Sequence, residues 1–105
     1  RTASAPVRAH LDRLESIAAR LYVHIDMDVL DPSEVPFHGN KVPGGPSSQE
    51  LAALFEQIFA RYPTASAIGF ATIPSNDPEG VSLAAVNRMI EGAVRGVQRR
   101  ERGEG

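Results

Sequence analysis

The sequence predicts an α/β protein built on a parallel sheet, and three observations carry that prediction. Helical periodicity and short apolar runs alternate along the chain in the order α-β-α-β-α. The two apolar runs, LYVHI at 21–25 and ASAIGFAT at 65–72, have strand length and are each followed by Pro/Gly-rich turns and then a helical pattern. Parallel neighbours need a helical crossover between them, and this order supplies one.

The first element is read from Val7, Leu11, Leu14, Ile17 and Ala18, which form one face of a helix over residues 4–20. Ser4 serves as its N-cap, and Pro6 falls in the first turn, where its missing N–H costs nothing. Leu21–Ile25 should be a buried strand. In an extended chain His24 and Asp26 share one face, and Asp28 joins them if extension persists. Residues 29–46, VLDPSEVPFHGNKVPGGP, carry too many prolines and glycines for a regular element. A loop of that length in a compact domain is usually functional or disordered, and its place after an acidic strand end favours function.

Ser47 and Glu50 match a capping box, and Leu51, Leu54, Phe55, Ile58 and Phe59 form the apolar stripe of a helix that Pro63 stops near Tyr62. The second strand follows at 65–72, where small residues predict close packing. Residues 73–81 are turn chemistry, with Asp77 and Glu79 within reach of the first strand's end. Ser82 is expected to cap the last helix, with Leu83, Val86, Ile90, Ala93, Val94 and Val97 as its buried face. Residues 98–105 should fray.

With 105 residues the chain has room for one domain. Two strands are too few for a free-standing parallel sheet, so the domain reads as partial, and its open edges predict association. Apolar residues make up 42% and charged residues 23%, as in a globular protein. The net charge of −2 argues against nucleic acid as a partner, because Arg95, Arg99, Arg100 and Arg102 gather in a tail broken by Glu101 and Glu104 and read as a solvated helix end. No cysteine is present, so disulfides and thiolate metal sites are excluded. No run approaches the length of a membrane span and no signal-peptide pattern opens the chain, so no membrane partner is expected and the cytoplasm is the expected compartment. The chain opens on Arg1 rather than Met, which reads as processing or as an excerpt of a longer polypeptide.

The chemistry concentrates in HIDMDVLDP at 24–32. Two carboxylates two residues apart at a strand end repel each other unless a cation or a proton lies between them. Oxygen donors favour Mg²⁺, Ca²⁺ or Mn²⁺, and added imidazoles shift the preference toward Mn, Fe, Co, Ni or Zn. Read without a cation, Asp26 and Asp28 merely cap loop backbone. Glu34 completes a faint calcium-loop spacing but lacks the glycine and terminal glutamate of an EF-hand.

HIDMDVLDP followed by VPGGPSSQEL resembles the second metal-binding signature of the ureohydrolase family, the arginases, agmatinases and formiminoglutamases. The likeness covers about residues 20–98. It implies an arginase-like three-layer α/β/α fold of which this chain holds a C-terminal portion. It also implies a binuclear Mn²⁺ centre at which activated water attacks a guanidinium or amidine carbon, releasing urea or formamide. Asp26 matches the aspartate shared by the two ions and Asp28 a ligand of one of them. Asp31 matches an aspartate that supports the loop rather than the metal. Gly44 and Gly45 match the pair that returns the loop under the site.

The departures are specific. The histidine- and aspartate-bearing segments that complete the centre in the family have no counterpart here, so the isolated chain is expected to be inactive and to associate as a homo-oligomer or with an N-terminal part. Ala71 stands where the family's substrate-gripping glutamate would be, Ile73 at its asparagine and Ile68 at its first aspartate. His24 is expected to be a satisfied core histidine or a support to the ligands. His38 and Asn40, beside Lys41, are the candidates for contact with a small guanidino or amidino substrate, although a bland surface-loop reading fits His38 as well. The alternative function is a non-catalytic module of the same fold. A receiver-like Mg²⁺ pocket for phosphoryl chemistry lacks its phosphoacceptor aspartate and strand-end lysine.

Overall fold

The computed structural model describes residues 5–17, 20–31, 33, 44–71, 77 and 79–103. The order is α1 (Ala5–Ile17), β1 (Leu21–Asp26), a 3-10 turn (Met27–Val29), α2 (Ser48–Arg61), β2 (Ala65–Ala71) and α3 (Val81–Glu101). The two strands pair in parallel, with Tyr22 opposite Ala67 and Asp26 opposite Ala71. Ser4 and Thr72 lie outside the described residues. No helix among the described residues is long and apolar enough to cross a membrane.

Burial along β1 alternates, which corrects the expectation of a wholly buried strand. Leu21, Val23 and Ile25 face the core, whereas Tyr22, His24 and Asp26 are exposed on the other side. Gly69 of β2 accommodates the Tyr22 ring on that outer face, where a Cβ would lie on its hydroxyl. The core itself is Met27, Leu30, Phe55, Ile58, Phe59, Tyr62, Ala65, Ala85, Val86, Met89 and Ala93, drawn mainly from α2 and α3. The capping box at the start of α2 forms as the sequence predicts. Ser47 Oγ accepts the Glu50 N–H and Glu50 Oε1 accepts the Ser47 N–H, each at 3.1 Å.

α3 buries only part of the face its apolar residues predict: Val86 and Ala93 are buried and Val97 packs against the core. Leu83, Ile90 and Val94 are exposed, while Ala85, Met89, Gly92, Ala93 and Gly96 are buried. The reason is backbone proximity. A Cβ on Gly92 would stand 2.3 Å from the Ala52 carbonyl oxygen, and one on Gly96 would stand 2.5 Å from that of Glu56. The contacts advance together along both helices, so α2 and α3 run in the same direction, as consecutive helices beside a parallel sheet should. Tight approach selects small residues where the two backbones meet.

The arginines expected to form a solvated tail fasten this helix pair, and α3 stays helical through Glu101 instead of fraying from Gln98. Arg95 Nε and Arg99 Nη1 donate to the two carboxylate oxygens of Glu56 at 3.0 and 3.1 Å. Arg100 Nη1 lies within 3.2–3.4 Å of the carbonyl oxygens of Phe59, Tyr62, Pro63 and Ala65, gathering the C-terminal end of α2 and the start of β2. The expected N-cap, Ser82, is instead buried inside the first turn, and its hydroxyl has no partner among the described residues. Gly80 is the N-cap, in the left-handed region, and the Asp77 carboxylate accepts the N–H groups of Ser82 and Leu83. One carboxylate thereby satisfies two helix-end donors, one with each oxygen.

α1 is less covered than its pattern predicts, with Val7 and Ile17 exposed and only Leu11 packed against the core. Polar tethers fix it: the Tyr62 hydroxyl donates to Asp12 Oδ1 at 2.7 Å and the Thr64 hydroxyl donates to Glu15. Burial, and then the Asp12 carboxylate, push the Tyr62 phenol above its ordinary pKa.

The Glu56 hub has a measurable consequence. The hydrogen bond from Arg95 holds its carboxyl below the ordinary glutamate value against the opposing effect of burial, with Arg99 adding to the same shift. A depressed folded pKa stabilises the fold above the unfolded-state value and loses that contribution as pH falls through the folded one. Urea denaturation of Glu56→Gln should therefore show a deficit of about 1 kcal/mol at pH 7, converging on the wild type as the acid range is entered.

Candidate metal centre at the strand end

β1 stops being extended at Asp26 because Met27 and Leu30 turn inward. Met27 is fully buried and Leu30 only 2% exposed, and the intervening residues form the 3-10 turn. Leu30 N–H closes it onto the Met27 carbonyl at 3.2 Å. Extension therefore does not persist to Asp28, which does not join the strand face of His24 and Asp26. Asp26 caps the turn instead, its Oδ1 accepting the Asp28 N–H at 3.0 Å. The two aspartates thus stand at the start of and within one turn at the C-terminal end of the sheet, Asp26 exposed and Asp28 half-buried. That is the edge at which parallel α/β sheets bind ligands.

The returning segment 44–46 passes against this turn. Asp31 Oδ1 accepts the Gly44 N–H at 3.1 Å, and Oδ2 accepts the Ser33 N–H at 3.2 Å and the Ser33 hydroxyl at 2.7 Å. These bonds, that of the Ser33 hydroxyl foremost, hold the Asp31 carboxyl below its ordinary pKa. The Asp31 N–H donates to the Pro46 carbonyl at 3.1 Å. Gly44 has a φ of 91°, in the left-handed region.

The remaining candidates are distributed as follows. His24 is an exposed residue of β1, its Nδ1 3.5 Å from the Tyr22 hydroxyl, which sets aside the core half of its expected role and leaves the supporting half. His38, Asn40, Glu34 and Ile73 lie outside the described residues. Asp77 is engaged at the start of α3 rather than at the aspartate pair. Ala71 is the register partner of Asp26, so the position beside the first aspartate carries a methyl group. Among the described residues no three His, Cys, Asp or Glu side chains converge as a metal-binding group. A shallow depression between α2 and α3, bounded by Gln49, Ala52, Arg88, Glu91 and Arg95, contains neither Asp26 nor Asp28.

Gly45 is the position that sequence reasoning explains least and geometry most. A Cβ there would stand 2.3 Å from the Val29 carbonyl oxygen and 3.0 Å from the Asp31 nitrogen, both backbone atoms. Gly45→Ala should cost about 1–3 kcal/mol in urea denaturation, because neither neighbour is a side chain able to swing away.

The model of the arginase family matches residues 1–95. The arginase of Agrobacterium fabrum is 40% identical over 53 residues, half of this chain and 16% of that protein. The N(1)-aminopropylagmatine ureohydrolase of Thermus thermophilus is 41% identical over 46 residues, 44% of this chain and 16% of its own length. Among solved structures, formimidoylglutamase from Bacillus subtilis superposes with a TM-score of 0.77 at 23% identity, over 89% of this chain and 29% of that one. That likeness concerns the fold, and the chain spans well under half of each of these proteins. On the family match and the shared α/β architecture, the chain belongs to the arginase family.

Proposed function

We propose that this segment is part of a metal-dependent hydrolase that cleaves a C–N bond of a guanidino or amidino compound, and that it supplies Asp26 and Asp28 to a binuclear Mn²⁺ centre. The observation that supports this most is the aspartate pair itself, displayed on one turn at the C-terminal end of a parallel strand, in a family whose members bear the names arginase and ureohydrolase. Hard carboxylate oxygens fit Mn²⁺ as far as they go, and imidazoles from elsewhere would add to the same preference. The remaining donors would come from an N-terminal part; the outer edges of β1 and β2 are where added strands, or a second copy, would pair.

When bound, the metal pair supplies Lewis acidity and makes water nucleophilic near neutral pH. This chain's residues prepare the place. Asp26 and Asp28 provide two negative charges, and the Asp28 N–H fixes one oxygen of Asp26. His38 and Asn40, on the same connection, are proposed to contact the substrate.

A second reading, a non-catalytic module of the arginase fold, is favoured by one observation: Ala71 adjoins Asp26 where an anion would grip a guanidinium. Metal titration of the full polypeptide followed by electron paramagnetic resonance separates the two. Asp26→Asn combined with Asp28→Asn should abolish tight Mn²⁺ uptake and lower the release of urea, ammonia or formamide more than about a hundredfold. An unchanged titration would sink the metal reading. Tight Mn²⁺ binding without any of these products would transfer the weight to the second.

A further inference from the structure

We propose that His24 is itself a metal ligand: its Nε2 joins the carboxylate of Asp26 on one ion of the centre, and the Tyr22 hydroxyl holds the ring in the tautomer that frees that nitrogen. The inference rests on the reading of Asp26 and Asp28 as ligands and adds to it a nitrogen donor from this chain. Packing does not explain the residue, because His24 is exposed and belongs to no part of the core.

Strand geometry brings the two donors together. Alternate residues of an extended chain leave one face of the sheet about 6–7 Å apart. An imidazole and a carboxylate at that spacing can lean toward one ion and each bond it at about 2 Å. His24 and Asp26 stand in this relation on β1, both exposed on the face away from the core, and the backbone is still extended at Asp26. Gly69 is the register partner of His24 and Ala71 that of Asp26, so β2 itself raises nothing larger than a methyl group beside either donor. Tyr22 completes the arrangement. Its ring leans across onto β2, where a Cβ on Gly69 would strike its hydroxyl. From there the hydroxyl stands 3.5 Å from His24 Nδ1, with the ring centroids 6.0 Å apart. Asp26 lies beyond His24 on the opposite side from Tyr22 along the strand. The two nitrogens of an imidazole point away from one another, so a ring that turns Nδ1 to Tyr22 turns Nε2 away from it. With Nδ1–H donating to the hydroxyl, Nε2 carries the lone pair a metal takes, and ligating histidines are generally fixed through their other nitrogen in this way.

Electron spin echo envelope modulation of the full polypeptide loaded with Mn²⁺ reports the nitrogens bound to the ion and does not depend on turnover. His24→Ala should remove the contribution of one imidazole nitrogen. It should also weaken Mn²⁺ binding more than about a hundredfold, beyond the loss expected for a residue that only supports a ligand. Zn²⁺ affinity should fall further than Mn²⁺ affinity in the same variant, because an imidazole donor favours the later metal more. His24→Gln, which keeps side-chain bulk without an imidazole nitrogen, should reproduce the spectral change. Tyr22→Phe should leave the nitrogen on the ion and cost about tenfold in affinity, the effect of a lost outer partner. A nitrogen signal unchanged in both His24 variants would overturn the proposal even where affinity falls, since His24 would then act on the ligands from outside. That outcome leaves Mn²⁺ uptake dependent on Asp26 and Asp28. If the wild-type protein takes up no Mn²⁺, the reading of the two aspartates fails first, and the role of His24 goes with it.

Discussion

The burial of Met27 and Leu30 is the constraint on which the acidic end of this molecule depends. A continuing strand would place Met27 and Asp28 on opposite faces and carry Asp28 in line with His24 and Asp26. Two large apolar side chains three residues apart instead enter one core, and only a tight helical turn satisfies that spacing. The turn ends the strand, lifts Asp28 beside Asp26, and lets the Asp26 side chain replace the backbone partner that the strand no longer provides. Packing thus decides the placement of the carboxylates before any metal is considered.

The platform beneath that turn depends on a second constraint, the close approach of α2 and α3. Gly92 and Gly96 let the two backbones meet, Glu56 receives two arginines across the contact, and Arg100 collects carbonyls where α2 gives way to β2. Through that junction the register of β2 beside β1, and hence the neighbour of Asp26, is tied to the helix pair. The line of Leu83, Ile90 and Val94 left outside, with the exposed Val7 and Ile17 of α1, accords with a domain that is only partly contained in this chain. The relatives extend well beyond the matched segment, which is the same statement in terms of length.

Much of this was legible in the residues. The strand, the capping box at Ser47 and Glu50, the end of α2 near Tyr62 and the acidic strand end are local patterns, set by a few neighbours in sequence. The family was legible too, because its metal signature is itself local. What escaped depended on distant partners. Nothing near Leu83, Ile90 and Val94 announces that glycines on the neighbouring face will draw α3 against α2. Nor does the arginine-rich end of the chain reveal that Glu56, 43 residues before Arg99, and a set of carbonyls await it. Ser82 was a sound cap by type, but the helix begins before it, and Asp77 accepts the first-turn N–H groups of Ser82 and Leu83 from outside the helix. The carboxylate pair was foreseen as strand residues, and the 3-10 turn changed how it is presented rather than which residues compose it.

The claim at the centre is that Asp26 and Asp28 together address one metal centre. Crystals of the full polypeptide grown with Mn²⁺, with anomalous diffraction recorded at the manganese edge, test it without reference to turnover. The account predicts anomalous density within coordination distance of both carboxylates, at the C-terminal edge of β1. Manganese bound elsewhere, with Asp26 still turned to the Asp28 amide and neither carboxylate touching an ion, would contradict it.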